Sequence, residues 1–152
     1  MFEKILYPTD FSDVSKKVLP HIKKMKEAGT QQVIVLRVID QRKVENISQG
    51  VAWAGLEVAE FLKQTTQWLQ DEAKREMEPI ETELREAGIE VKVRVEKGDP
   101  HTRIVEVAEE EDVSAIVLGS HGRSNIGSML LGSVASHVVH HAKVPVLIIN
   151  RD

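Results

Sequence analysis

A chain of 152 residues is predicted to form one domain, residues 1–152, that is long enough to bury a hydrophobic core. Its net charge of −4 at pH 7 argues against nucleic acid as a partner, and no apolar run approaches the roughly 18 residues that a membrane span needs. The lack of cysteine excludes disulfides, thiol catalysis and cysteine-ligated zinc. The N-terminal sequence has no cleavable signal pattern, so we expect a cytoplasmic protein.

Apolar, β-rich runs alternate along the chain with helical patterns. In chain order they predict a strand over residues 4–7, a helix over 13–28, a strand over 32–38, a helix over 56–87, a strand over 90–95, a helix over 100–110, a strand over 115–118, a helix over 133–142 and a strand over 145–149. Residues 41–55 are polar or small and are interpreted as an insertion. Pro79 either begins a new turn or kinks the long helix.

Several helix ends carry recognisable boundary residues. Ser12 is a good N-cap for the first helix, and Gly29 is expected to end it. Gly88 is the expected C-cap of the long helix. Asp99 is the expected N-cap of the following helix, because Pro100 then occupies the first helical position.

Strands that are apolar on both faces and separated by helices predict a parallel sheet covered on both sides. Right-handed crossovers then give an α/β fold of the doubly wound, three-layer sandwich type. In such sheets a ligand sits outside the carboxyl ends of the strands, where the strand order reverses. If the first and fourth strands are neighbours, Pro8-Thr9-Asp10 and Gly119 flank one crevice.

The segment after the fourth strand has the pattern Gly119-x2-Gly122-x9-Gly132-Ser133. Glycines let backbone amides approach a phosphate closely and gather around it, and a following helix start adds N–H donors. Ser133 can cap that helix or bond a phosphate oxygen, and Arg123 can add a charged contact. The alternative is a plain turn between strand and helix. The chain has neither a Walker A loop nor a G-x-G-x-x-G motif after the first strand.

Together with KILYPTDFS at the start and LRVID at the second strand, this glycine pattern resembles the ATP-binding branch of the universal stress protein family. The resemblance covers essentially the whole chain apart from residues 41–55. It implies a Rossmann-like, five-stranded parallel sheet in the order 3-2-1-4-5 and a homodimer joined through the last strand. It leaves two roles open for residues 41–55, a lid beside the adenine or a surface for a partner.

The resemblance implies an ATP site made from two strand ends, the glycine loop and the start of the last long helix. Its residues are Pro8, Thr9, Asp10, Val38, Leu118, Gly119, Ser120, His121, Gly122, Arg123, Ser124, Asn125, Gly132, Ser133, Val134 and Ala135. Adenine is expected beside Pro8 and the backbone of Val38. Asp10 is expected close to the ribose or to a Mg²⁺ or Mn²⁺ ion that the phosphates largely hold. Ala135 has no hydroxyl, so only its backbone is expected to contribute.

Three features have a structural interpretation beside the functional one. Asp10 can instead cap the turn or the first helix, and His121 can simply be exposed. His137, His140 and His141 have helical spacing, and histidines at i and i+4 can bind metal. No carboxylate lies near them in sequence, so we interpret them as a solvated helix face.

Three hypotheses follow. The first is an ATP-binding regulatory protein of the stress response, because the sequence has a phosphate loop without an evident catalytic set. The second is a slow ATPase or nucleotidyl transferase that recruits Asp10, His121 and Arg123. The third is a nucleotide-free dimeric interaction module.

Overall fold

The computed structural model describes residues 1–12, 16–55, 57–120 and 131–150. Its strands form one parallel sheet in the order β3-β2-β1-β4-β5, which confirms the predicted arrangement. The strands are β1 (Lys4–Pro8), β2 (Gln32–Asp40), β3 (Glu90–Gly98), β4 (Ala115–Gly119) and β5 (Val146–Ile149). The helices are α1 (Val18–Met25), α2 (Gln41–Trp53), α3 (Val58–Glu86), α4 (Pro100–Glu110) and α5 (Ser133–His141).

The sheet is covered on both faces, and alternate residues of the central strands enter two different cores. Ile5 and Tyr7 of β1 pack in a cluster with α1 and α3. Leu6 lies between them in sequence and packs in the opposite cluster, with α4 and α5. Since all three side chains are fully buried, β1 is the centre of a three-layer α/β/α sandwich.

The first helix is followed by a 3₁₀ turn over Lys26–Ala28, and Gly29 ends the segment with φ 103°. This left-handed conformation is one that glycine adopts without steric cost. The predicted end of the helix is therefore confirmed. Its predicted start falls on residues 13–15, which lie outside the described residues.

Residues 41–55, interpreted from sequence as an insertion, are mostly the helix α2. Asp40 is its N-cap, and the carboxylate accepts a hydrogen bond from the Arg42 amide at 3.0 Å. Val44 and Ser48, one turn apart, are buried. The Ser48 hydroxyl donates to the Val44 carbonyl at 2.7 Å, which satisfies the buried oxygen locally. The sequence did not predict this helix, because its apolar positions are few and are interrupted by polar residues and glycine.

The long helix α3 continues through Pro79 as one element of 29 residues. Gly88 follows its end with φ 82°, and its amide donates to the Arg85 carbonyl at 2.9 Å. β3 is longer than the predicted strand over 90–95, because it pairs with β2 as far as Gly98. Within the described ranges, no helix is both long and apolar enough to cross a membrane.

Candidate functional site

The strand order reverses between β1 and β4, and these two strands separate toward their carboxyl ends. In the described part of the chain their register comprises Ile5 with Ala115 and Leu6 with Ile116. β4 then remains paired with β5 as far as Gly119. The separation leaves a crevice at the position where ligands bind in open α/β sheets.

On the side of β1 opposite to β4, the neighbouring strand β2 continues past the carboxyl end of β1. The last registered pair is Pro8 with Leu36, and the Thr9 amide donates to the Leu36 carbonyl at 2.8 Å. The N–H and C=O of one strand residue point to the same side and alternate along the strand, so those of Val38 point to the β1 side, as those of Leu36 do. The Val38 backbone therefore faces the space beyond the end of β1, where adenine was expected.

The chain leaves β1 in a tight turn. The Thr9 hydroxyl accepts a hydrogen bond from the Phe11 amide at 3.1 Å, and Asp10 Oδ1 accepts one from the Ser12 amide at 2.9 Å. Phe11 has the left-handed φ of 63°. The Asp10 carboxylate thus caps this turn, as the structural alternative proposed, and it does so at the rim of the crevice, half-buried.

At the end of β4, two hydrogen bonds fix the base of the glycine segment. The Ser120 amide donates to Ile149 of β5 at 2.9 Å, and the Gly132 amide donates to the Ser120 carbonyl at 2.6 Å. Ser120 and Gly132, which lie on either side of residues 121–130, are therefore adjacent. The predicted contacts of His121, Gly122, Arg123, Ser124 and Asn125 lie outside the described residues.

The helix α5 begins beside this base. Gly132 is its N-cap, with φ −68° and ψ 163°, so Ser133 is its first helical residue and not its cap. Ser133 is exposed, whereas Ala135 is buried. The amides of Ser133, Val134 and Ala135 have no acceptor within the helix, because the first turn lacks preceding carbonyls. This helix start can hold an anion.

The structure thus brings the described members of the predicted site to one edge of the sheet. They are Pro8, Thr9, Asp10, Val38, Leu118, Gly119, Ser120, Gly132, Ser133, Val134 and Ala135. Many of their side chains are buried, among them Thr9, Val38, Leu118 and Ser120. A ligand at this edge would therefore be contacted largely through backbone groups.

Two neighbouring features were not predicted from sequence. The Arg37 guanidinium, on β2 next to Val38, lies 5.5 Å from the centre of the Phe11 ring, a cation–π contact. An open groove lies between α2, α3 and the end of β3, and its lining includes Val44, Ser48, Leu62 and Lys97. Since α2 starts directly after β2, this groove lies on the β2–β3 side of the sheet. The predicted strand over residues 32–38 included Arg37 but indicated no partner for it.

The fold and this edge define a doubly wound α/β protein with a ligand crevice at the switch point of the sheet. A family model described as the universal stress protein family matches residues 1–150. Universal stress protein MJ0577 of Methanocaldococcus jannaschii is 41% identical over 156 residues, covering 99% of this chain and 96% of the relative. The chain belongs to the universal stress protein family.

Solved structures agree with this assignment. The structure of MJ0577 matches with a TM-score of 0.87 at 40% identity and covers 100% of this chain and 98% of that chain. A universal stress protein in complex with cAMP has a TM-score of 0.68 at 22% identity, covering 99% and 98% of the two chains. A family protein from Arabidopsis thaliana with AMP bound has a TM-score of 0.64 at 16% identity, covering 98% and 92%. The last two show the shared fold.

Proposed function

We propose that the protein binds ATP in the crevice between β1 and β4 and acts as a nucleotide-dependent regulatory protein of the stress response. The observation that carries this proposal is the arrangement of the crevice, with the Val38 backbone at one end and the start of α5 at the other. Two proteins of the same fold hold adenine nucleotides, cAMP in one and AMP in the other, which supports an adenine ligand.

The adenine end of the proposed site depends on the unequal lengths of β1 and β2. The N–H and C=O of Val38 form a donor and acceptor pair that matches an adenine edge, which also carries one donor and one acceptor side by side. Pro8 lies at the end of β1 and is buried, so it offers an apolar surface beside the base. Recognition through backbone groups selects for adenine without requiring a particular side chain.

The phosphate end of the proposed site depends on Gly132 and on the amides that follow it. The φ and ψ of Gly132 lie in the extended region that every residue can adopt, so backbone conformation does not require a glycine there. Close approach of a phosphate to the backbone supplies a reason for the missing side chain. The phosphates would hold a Mg²⁺ or Mn²⁺ ion, with Asp10 near them.

A regulatory role is favoured over hydrolysis by the state of Asp10. One carboxylate oxygen of Asp10 already accepts the Ser12 amide, so this side chain is engaged in shaping the turn. A general base has to be within hydrogen-bond reach of the proton that it removes, and the bond to the turn holds the Asp10 carboxylate in an orientation set by the turn. We therefore expect ATP to bind without efficient turnover.

The proposed homodimer uses β5, which is an edge strand of the sheet. Val146 and Ile148 pack partly against the core on the α4–α5 side, whereas Leu147 is 42% exposed on the other face. Val139 of α5 is 43% exposed as well. Pairing of two β5 strands would satisfy their outer backbone groups and cover Leu147.

The experiment is a calorimetric titration of nucleotide-free protein with ATP and Mg²⁺, comparing wild type with Gly132→Val. The valine fits the backbone conformation but adds a side chain where the phosphates would approach, so we expect at least roughly tenfold weaker binding, about 1.4 kcal/mol. Gly50→Ala, a glycine replacement in α2 that meets no atom within 4 Å, is the matched control and should bind as wild type does. Unchanged affinity in a folded Gly132→Val protein would refute the phosphate assignment.

A further inference from the structure

The turn that follows β1 contains a residue whose backbone conformation does not suit its side chain. Phe11 has a φ of 63°, in the left-handed region that a bulky side chain rarely adopts. In the described part of the chain, the other non-glycine residue with a positive φ is Asp112, a residue type that tolerates this region. Strain of this kind persists only where the surroundings impose it, and it is concentrated at functional sites. The conformation of Phe11 therefore has to be held by its contacts.

Both the side chain and the backbone of Phe11 are held in place. The ring is 9% exposed and belongs to the same core cluster as Val18 and Ile22 of α1. The Arg37 guanidinium covers the ring at 5.5 Å from its centre. The Phe11 amide donates to the Thr9 hydroxyl at 3.1 Å. Burial of the ring and these two contacts offset the unfavourable backbone conformation.

This conformation sets the direction of the Asp10 side chain, which directly precedes Phe11. The chain turns back at Phe11, so that the Ser12 amide donates to Asp10 Oδ1 at 2.9 Å. On the other side of Asp10, the Thr9 amide is fixed to β2, because it donates to the Leu36 carbonyl at 2.8 Å. Asp10 is thus held from both sides, and it stays at the rim of the crevice while the neighbouring ring packs in the core.

Asp10 lies between the two ends of the proposed ATP site. It follows β1, and β1 is the strand between β2, which carries the Val38 backbone, and β4, which leads toward Gly132. A side chain that is already fixed in its bound direction contributes more to affinity, because a freely rotating one loses conformational entropy when it binds. Fixing the Asp10 carboxylate is therefore a role that the strained turn can serve.

We propose that Phe11 is a positioning residue for ATP binding, because its buried ring holds the turn after β1 in the left-handed conformation that directs the Asp10 carboxylate toward the ligand. This role rests on the proposed function, since it requires ATP in the crevice between β1 and β4. The Phe11 ring lies in the core on the α1–α3 side of the sheet, so its effect on affinity passes through Asp10.

The test compares two replacements of Phe11 that have opposite backbone preferences. Asparagine tolerates the left-handed region, whereas the β-branched valine is strongly disfavoured there. In a calorimetric titration of nucleotide-free protein with ATP and Mg²⁺, we expect Phe11→Val to bind at least roughly tenfold more weakly than wild type, which corresponds to the loss of one hydrogen bond from the ligand to the charged Asp10. Phe11→Asn should stay within about threefold of wild type. A side chain that only fills the core would be replaced better by valine than by asparagine, so packing alone predicts the opposite order.

A double-mutant cycle shows whether the effect passes through Asp10. In an Asp10→Ala background, Phe11→Val should weaken ATP binding by less than about twofold further, because the group that Phe11 positions is already absent. Phe2→Val is the matched control, since Phe2 packs against the same core cluster but precedes β1, at the opposite edge of the sheet. This control should lower stability toward urea and bind ATP as wild type does.

Circular dichroism confirms that each variant is folded, and Phe11→Ile, which is also β-branched but larger, replaces Phe11→Val if the latter is not. Wild-type affinity in folded Phe11→Val, or in Asp10→Ala, would overturn the positioning role and leave the proposed function standing. Binding of Phe11→Asn as weak as that of Phe11→Val, or a tenfold loss from Phe11→Val on top of Asp10→Ala, would overturn it too. A wild-type protein that binds no ATP would refute the proposed function and the positioning role with it.

Discussion

Gly50 and Gly55 lie in and just after α2 and differ in backbone conformation. A Cβ at either position meets no atom within 4 Å, so space does not distinguish them. Gly55 has φ 76°, a region that L side chains rarely adopt, whereas Gly50 is helical. Comparing alanine at the two positions therefore measures how backbone conformation affects stability where an added side chain makes no close contact.

Alanine at these two positions should change the free energy of unfolding in opposite directions. Gly50→Ala should stabilise by about 0.5–1 kcal/mol, because glycine in a helix interior loses more conformational freedom than alanine. Gly55→Ala should destabilise by roughly 1–2 kcal/mol, the cost of the left-handed conformation for an L side chain. Urea unfolding of both variants beside wild type measures this. Shifts of the same sign would contradict the assigned conformation of Gly55.

For individual residues, the sequence predicted those features that depend only on nearby residues in the chain, such as helix caps. Asp99 caps α4 and accepts the His101 amide at 3.0 Å, and Gly88 follows α3 with a left-handed φ, both as expected. The cap at Asp40 was missed because no strong apolar periodicity follows it. The contacts of His101 could not be predicted either, because its partner His137 lies 36 positions further along the chain and meets it only through packing of α4 on α5.

At the scale of elements, β3 and α4 are joined by a network of ion pairs. Arg94 of β3 contacts Glu96 and donates to Glu110 and Glu111 at 2.9 Å each. Arg103 of α4 donates to Glu110 at 2.7 Å. The acidic residues at the end of α4 put negative charge where it opposes the helix dipole. The basic residues of β3 offset this unfavourable negative charge by forming ion pairs with it.

This network predicts how stability depends on pH. Hydrogen bonds from Arg103 and Arg94 lower the pKa of Glu110 to about 2, and hydrogen bonds, Lys92 foremost, lower that of Glu111. A carboxylate whose folded pKa is below its unfolded value stabilises the fold above the unfolded value, and the contribution is lost as pH falls toward the folded value. Stability should therefore decline as pH falls from about 4.5 toward 2.

Urea unfolding between pH 7 and pH 2 measures this decline in wild type and in Glu110→Gln. The variant should show a shallower dependence below pH 4.5, because it has lost the group whose protonation drives the change. Glu109→Gln, which removes the neighbouring carboxylate that pairs with Lys143 instead, is the control and should follow wild type. Parallel curves for Glu110→Gln and wild type would show that the network does not contribute.

Secondary-structure elements with a clear apolar pattern in the sequence were the most predictable. The apolar run of β4 and the alternation of β3 gave strands at the right places, and the sheet order followed once the resemblance was identified. The end of β3 was placed too early, because Glu96 and Lys97 look like loop residues. Pairing of Glu96 with Val38 and of Lys97 with Ile39 extends the strand, and that pairing is invisible in a single sequence.

For the molecule as a whole, dimerisation through β5 can be tested at Leu147. Val146 and Ile148 are partly buried against the core, so a charge at either position would also disturb the fold. A monomeric variant there would not show that the dimer interface itself had been lost. Leu147→Glu places the charge on an exposed position and should convert dimers to monomers in sedimentation, with little loss of stability. Ile47→Glu changes a similarly exposed residue on α2 and should stay dimeric. A dimeric Leu147→Glu protein would refute this interface.

The central claim is that the crevice between β1 and β4 holds ATP, and the nucleotide content of the purified protein tests it most directly. The protein is denatured, the released small molecules are identified by chromatography, and the nucleotide-free form is then titrated with ATP and Mg²⁺. The account predicts ATP in stoichiometric amount or saturable binding of one ATP per chain, with no appreciable turnover. No released nucleotide and no binding up to about millimolar ATP, a free energy of about −4 kcal/mol, would contradict it and leave the glycine segment as a structural turn.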